Sequence, residues 1–320
     1  MNLDVSAFSL PPGQGYPFFI TAKRYRRPRG DALDPGALTL ICLHSTSFHK
    51  ETWEPTLDVL FQADGSFGQH RIAEAWAIEC PNHGASAQLN EAALTHPLHK
   101  EQFSCRKYGL AAYRFITSTA GLKDKRLVCL GHSLGAVAAT FLFDIVPRIT
   151  FYSLVLVEPM ISPGGIHHLY PLSNRLVSLT LKRRDEWPNR DAALASFRGW
   201  HPRVAELYVA FGLRDHPRGE GATLACTRGE EAAMYRDLGS SEAAVALLNA
   251  ACVALPVHLI LGAVHDYLPP QVHADLAGGR PHASISTLQG LGHLIPQHAP
   301  DRLSAAVFAA LFPDRGSSRL

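Results

Sequence analysis

Ser133 stands in the pentapeptide Gly131-His132-Ser133-Leu134-Gly135. A serine hydroxyl is a weak nucleophile until a base takes its proton, and imidazole, which titrates near neutral pH, suits that task. An acid must then orient the imidazole and stabilise its cation. Attack on an acyl carbon also needs donors for the oxyanion that forms. The flanking sequence offers part of this. Residues 126–130 are a short apolar run containing Val128 and Cys129, long enough for a strand buried on both faces. Residues 136–143 are rich in Ala, Leu and Phe and read as a helix packed on a sheet. Strand, tight turn and helix around Gly-x-Ser-x-Gly form a nucleophile elbow. Both glycines are needed, because bulky neighbours would collide with strand and helix, and so sharp a turn predicts strain at Ser133. The hydroxyl then stands at a helix N-terminus, where free N–H groups face developing negative charge.

A carboxylate, Glu158, ends a second apolar run, residues 153–157. Packing does not explain a charge there. A buried carboxylate without a partner costs several kcal/mol, so it needs a cation or hydrogen bonds. A neighbouring imidazolium would serve.

The elements that must position these groups alternate between strand and helix. Residues 18–25 predict an edge strand and residues 26–36 a polar turn region. Buried strands follow at 38–43, 75–78, 126–130, 153–157 and 256–261, with a last strand at 283–288. Helices are expected at 53–61, 103–119, 136–143 and 301–312, the last capped by Asp301 and stopped by Pro313. Short buried strands alternating with helices imply a mainly parallel sheet covered on both faces, an α/β fold. Residues 160–255 turn helical, carry the basic run Lys182-Arg183-Arg184 and show no strand of the main sheet.

Composition narrows the function classes. The chain has 320 residues, 47% hydrophobic and 18% charged, enough for one large domain with a substantial core. A formal net charge of +2 implies neither nucleic acid nor an anionic membrane as partner. No run of about 18 apolar residues predicts a transmembrane helix, and the first 20 residues lack the basic start and apolar core of a secretory signal. None of the six cysteines makes a Cys-x-x-Cys pair, so a reducing compartment without structural disulfides is expected. The 17 histidines are scattered. The adjacent pair His167-His168 lacks the helical spacing of a zinc site, so no metal and no cofactor is expected.

Several loops resemble those of the α/β-hydrolase superfamily, over nearly the whole chain. Strand 38–43 runs into His44-Ser45-Thr46-Ser47-Phe48-His49-Lys50, with Trp53 beyond. That resembles the family loop that supplies one oxyanion donor, with Ser45 where Gly is usual. The resemblance implies the backbone N–H of Thr46 as donor, paired with that of Leu134. Residues 79–86, from Glu79 to Ser86, resemble the Asp-x-x-Gly-His-Gly-x-Ser loop. Glu79 replaces Asp and Asn82 replaces Gly, and His83 reads as a turn histidine, not a catalyst. His293 in Gly290-Leu291-Gly292-His293 resembles the family's histidine loop, so it is the implied base. The resemblance implies the chain order Ser, acid, His, and two carboxylates satisfy it. Asp266 follows strand 256–261, the commoner acid position, but it lies one residue late, with His265 in the usual slot. Glu158 is the favoured acid and Asp266 the alternative. The resemblance also implies an insertion after the sixth strand. Residues 1–159 and 256–320 would form the core. Residues 160–255 would form a mostly helical cap whose last part is free to rejoin the core.

A narrower likeness is carried by residues 44–55, 182–199, 200–215 and 221–235 and by the placement of Glu158. They are similar to a fungal subfamily that includes peroxisomal lipases, toxin-biosynthesis hydrolases and acyl-CoA hydrolases of polyketide pathways. Ser318-Arg319-Leu320 resembles the Ser-Lys-Leu address, which implies a peroxisomal import receptor as partner and a peroxisomal location in a eukaryote, cytoplasmic otherwise. The expected function is hydrolysis of an ester or thioester, an acyl-CoA above all, with a small acyl substrate as partner. Lys182, Arg183 and Arg184 could bind CoA phosphates, although such a run is more commonly a solvated helix face. An acyltransferase, cyclase or C–C bond enzyme on the same scaffold is the alternative, and a binding protein without turnover a third reading. An exposed apolar cap face would make a homodimer plausible.

Overall fold

The computed structural model describes residues 3–13, 15–28, 30–65 and 69–313. The first strands are β1 (Asp4–Leu10), β2 (Ile20–Arg26), β3 (Leu33–Leu43), β4 (His70–Ile78), β5 (Leu127–His132) and β6 (Phe151–Val157). Three short strands follow: β7 (Glu186–Trp187), β8 (Leu213–Asp215) and β9 (Ala222–Leu224). The last two are β10 (Val257–Gly262) and β11 (Ser284–Leu288).

Eight strands form the main sheet in the order β1-β2-β4-β3-β5-β6-β10-β11. From β4 to β11 neighbours are parallel, while β2 is antiparallel to both β1 and β4. Every residue of β5 and of β10 is buried, as a parallel strand covered on both faces requires. One core lies between the sheet and the helices Cys105–Ser118 and Leu134–Phe141. The other lies under Glu54–Asp64 and Pro300–Leu311.

Two sequence expectations need correction here. The strand expected at the edge is not there: β1 pairs along the whole of β2 and takes the edge position. In β1 every residue is exposed or half-buried, so it carries no apolar run to betray it. Asp301 does not cap the closing helix. That helix spans Pro300–Leu311 with Ala299 at its N-cap, and Asp301 sits within the first turn, where its charge still favours the positive helix end.

Between β6 and β10 the chain forms five helices, Tyr170–Lys182, Arg190–Ala195, Pro202–Leu207, Arg228–Arg236 and Leu238–Ala254, together with short 3₁₀ and π turns. The strands β7, β9 and β8 make a separate antiparallel sheet. With two or three residues each, they are too short for alternation to show in the sequence. The helix Leu238–Ala254 sends Ala244, Leu248 and Ala251 into the same core as the helix Leu134–Phe141.

Candidate active site

The C-terminal ends of the parallel strands bring the chemistry together. In their register, His132 of β5 pairs with Val157 of β6, and Ile260 of β10 pairs with the same Val157. Ser133 and Glu158 are the next residues of two neighbouring strands, so the register alone places them side by side. Their amides extend the ladder: Ser133 N–H donates to Val157 O at 3.0 Å, and Glu158 N–H donates to Ile260 O at 2.9 Å. Ligand sites of open α/β sheets lie at this edge.

Ser133 adopts φ 56°, ψ −121°, a left-handed conformation that a residue with a side chain rarely takes. The flanking glycines permit it. A Cβ on Gly135 would lie 2.3 Å from the His44 carbonyl oxygen, and one on Gly131 would lie 2.6 Å from Ala136 Cα. The clashing atoms are backbone and cannot swing away. Gly135→Ala is therefore expected to destabilise the protein by roughly 3 kcal/mol or more. Gly239→Ala is the control, because nothing lies within 4 Å of that position. It should be neutral or slightly stabilising in chemical denaturation.

Ser133 Oγ donates to His293 Nε2 at 2.8 Å, and His293 Nδ1 donates to Glu158 Oε2 at 3.1 Å. All three side chains are buried. Glu158 has φ 47°, so its carboxylate turns back under the strand ends. There Gly262 N–H donates to Oε1 at 2.7 Å, and His273 Nε2 lies 3.1 Å from the same oxygen. Burial pushes this carboxyl up, but the hydrogen bonds and charge interactions with His273 and His293 together outweigh it and hold the group well below the usual carboxylate range. Asp266 has a different place. Its Oδ1 accepts the backbone N–H of His293 at 2.8 Å, which fixes the loop and leaves the ring to Glu158.

Further contacts fix the imidazole. Tyr267 stacks on the His293 ring at 4.9 Å with an interplanar angle of 13°. His132 Nε2 donates to the His293 carbonyl at 2.9 Å. Burial, with the neighbouring His293, pushes the His132 imidazole down to about 3, so it is neutral at physiological pH.

The loop after β3 forms the opposite wall. Leu134 opens its helix, so its N–H has no acceptor within the helix. Thr46, Ser133 and His293 line one cavity of about 300 Å³. The loop is held from below. His44 Nδ1 donates to Ser45 O at 2.8 Å and its Nε2 accepts from Cys80 N–H at 3.0 Å. His83 Nε2 accepts the N–H of Ser47 at 3.0 Å, and its Nδ1 donates to Asn82. His83 thus ties two loops together. Glu79, fully buried, accepts from the Lys50 N–H and ammonium at 2.8 and 2.7 Å. The Asp-to-Glu exchange keeps its carboxylate paired.

Sequence reasoning missed the network that joins this loop to the inserted segment. Ser47, at φ 73°, donates from its hydroxyl to Glu231 Oε1 at 2.5 Å, and its Oγ lies 2.7 Å from Tyr235 OH. Arg183 reaches the two Glu231 oxygens at 2.9 and 3.0 Å and donates to Tyr208 OH at 2.9 Å. The basic run is therefore not one solvated face. Lys182 and Arg184 are exposed, whereas Arg183 turns inward to the cavity wall. No residue type or spacing marks this pairing, because its partners lie 48 and 184 positions apart in the chain. Apolar groups, among them Phe48, Leu176, Phe197 and Trp200, complete the cavity.

Comparison with known proteins agrees with this architecture. A model of the alpha/beta hydrolase family matches residues 40–306. The chain belongs to the α/β-hydrolase family, and the fold expected from its loops is the one it has. Among its relatives is the type I acyl-CoA thioesterase mpaH of Penicillium roqueforti, 27% identical over 214 residues, which cover 62% of this chain and 45% of that protein. Another is the peroxisomal membrane protein LPX1 of Saccharomyces cerevisiae, 25% identical over 309 residues, covering 89% of this chain and 77% of that protein. The solved structure of the peroxisomal alpha-beta-hydrolase Lpx1 from Saccharomyces cerevisiae superposes with a TM-score of 0.73 at 19% identity, covering 100% of this chain and 92% of that one. The chain spans about half the length of the acyl-CoA thioesterases it matches. Among the described residues, no helix is long and apolar enough to cross a membrane. All six cysteines are free and buried. Ser318-Arg319-Leu320 lies outside the described residues.

Proposed function

We propose that this protein is a serine hydrolase that cleaves an ester or thioester, with an acyl-CoA thioester as the favoured substrate. The observation that carries the reading is the unbroken contact from Ser133 Oγ through His293 to Glu158 at the wall of the cavity. His293 Nε2 accepts the Ser133 proton as Oγ bonds to the acyl carbon. The backbone N–H groups of Thr46 and Leu134 receive the negative oxygen. Glu158 stabilises the imidazolium through Nδ1–H. Nε2 then gives the proton to the departing thiolate or alkoxide as its bond to the acyl carbon breaks. Water enters, loses a proton to His293 and attacks the acyl-enzyme. Ser133 recovers that proton and the free acid leaves.

In this reading residues 160–255 act as the cap. Leu176, Trp200 and Tyr208 from that segment meet the acyl group opposite Ser133. Support for a thioester is the likeness to a protein named as an acyl-CoA thioesterase. Support for a peroxisomal location is the likeness to LPX1. The test of activity compares acyl-CoA thioesters of graded length with p-nitrophenyl esters, using Ser133→Ala as control. Serine-dependent release of free acid supports hydrolysis. Transfer to an added alcohol or amine in place of water would favour an acyltransferase, and no turnover of either substrate class sinks the reading. A fluorescent protein fused to the N-terminus of the chain should colocalise with a peroxisomal marker in yeast; a diffuse signal contradicts that location.

The Ser47 contact makes a separate prediction. Ser47→Ala removes a hydrogen bond to a charged group, worth about 1.5–3 kcal/mol, beside the Thr46 amide. The kcat should fall about tenfold or more with little change in KM, since the loss falls on oxyanion alignment. An unchanged kcat would detach Ser47 from the reaction.

A further inference from the structure

Glu158 faces two imidazoles. His273, on the helix Pro270–Ala277, is buried, with Nε2 3.1 Å from Oε1 and 3.3 Å from Oε2. His293 reaches Oε2 from the other side at 3.1 Å. A neutral imidazole donates from one nitrogen only, and a nitrogen facing a carboxylate this closely is the protonated one. With the Gly262 amide, three donors therefore converge on one buried carboxylate. Only the His293 contact is needed to orient the base.

We propose that His273 is a positioning residue for the reaction: it holds Glu158 under the strand ends and withdraws part of its negative charge, so that His293 stays ready to accept the Ser133 proton. The inference rests on the reading of Ser133, His293 and Glu158 given above. Two features support it. Glu158 has a left-handed backbone, which costs energy and persists only where the surroundings over-determine the residue, and the contact with His273 is one of those restraints. Burial raises its carboxyl, and the hydrogen bond from His273 brings it down at least as strongly as the one from His293.

The consequence has a definite sign. A carboxylate that loses a donor becomes a stronger base and binds the imidazolium form of its remaining partner more strongly. If His273 is instead a cation, its loss removes a positive charge that competes with the imidazolium on His293. Both cases make His293 hold its proton to higher pH. The other titratable groups around the pair are accounted for. His265, in the loop before the helix, meets the His273 ring at 4.8 Å. Asp266 is bound to the His293 amide, Tyr267 covers the His293 ring, and His132 donates to its carbonyl.

The test is the rate of serine labelling by a fluorophosphonate as a function of pH, on the full chain, because this needs no known substrate. Labelling requires a neutral base, so the rate falls on the acid side as His293 is protonated. His273→Phe keeps the ring and removes the donor. Its acid limb should move up by about one pH unit, a tenfold change in proton binding. His273→Gln places an amide nitrogen near the position of Nε2 and should restore the limb of the unmodified chain. If the Phe variant does not fold, His273→Asn, whose amide is too short to reach Glu158, should show the same upward shift. An unmoved limb in the Phe or Asn variant, or a Gln variant shifted as far as they are, overturns the role of His273 and leaves the serine hydrolase reading standing. A chain whose serine is never labelled at any pH overturns both.

Discussion

Replacing Ser133 with alanine lowers kcat by roughly 10⁴-fold or more and leaves the fold intact. The size of the loss follows from what the hydroxyl does. Without it no acyl-enzyme forms, and His293 can at best activate a water held less well. The remaining rate comes from the oxyanion donors and from binding alone. The fold survives because the change deletes one oxygen from a side chain that fills no core space, and the φ 56° backbone is held by β5 and the flanking glycines. Steady-state kinetics with thermal melting separates the two effects. A variant that melts normally and retains even a tenth of the rate contradicts the nucleophile.

Glu158→Gln lowers kcat by about 10³–10⁴-fold, whereas Asp266→Asn costs less than about tenfold. The carboxylate accepts from Gly262, His273 and His293 together. An amide offers one acceptor oxygen and an NH₂, so at least one of those donors would face another donor in a buried site. The imidazole would then lose its fixed tautomer. Asp266 accepts the His293 backbone N–H through Oδ1, and an asparagine oxygen accepts that bond equally well. The reverse ranking of the two variants would move the acid to Asp266. Glu158 also carries a pH signature. Its carboxyl is held below the usual range, so its ionised form favours the folded state. That stabilisation is complete above the unfolded carboxylate value near pH 4.3 and fades as pH falls from there toward the folded value. The stability gap between the unmodified chain and Glu158→Gln should narrow in acid, read by urea melts at pH 7 and pH 3.

Local patterns made much of this legible. The elbow was readable because its strand, turn and helix are contiguous, and each has its own signature in residues 126–143. Glu158 was readable because a charge at the end of an apolar run demands a partner. The partners themselves were not readable in the same way. His273 reaches Glu158 across 115 positions, and Ser47 reaches Glu231 across 184. His273 lies in no motif, and the loop that holds Ser47 carries nothing that marks Glu231 as its partner; the folded chain alone brings helices Pro270–Ala277 and Arg228–Arg236 to these residues. The edge strand β1 escaped for another reason: no residue of it is fully buried. The placement of Asp266 one residue late resolves in geometry, where its carboxylate serves the loop of His293 and not the ring.

The most direct test of the central claim is mass spectrometry after treatment with a fluorophosphonate at neutral pH. One adduct per chain is predicted on the peptide containing Ser133, and it should vanish in Ser133→Ala and form far more slowly in His293→Ala. An adduct on another serine, or none while the chain still turns over substrate, would contradict the assignment of Ser133 as the nucleophile.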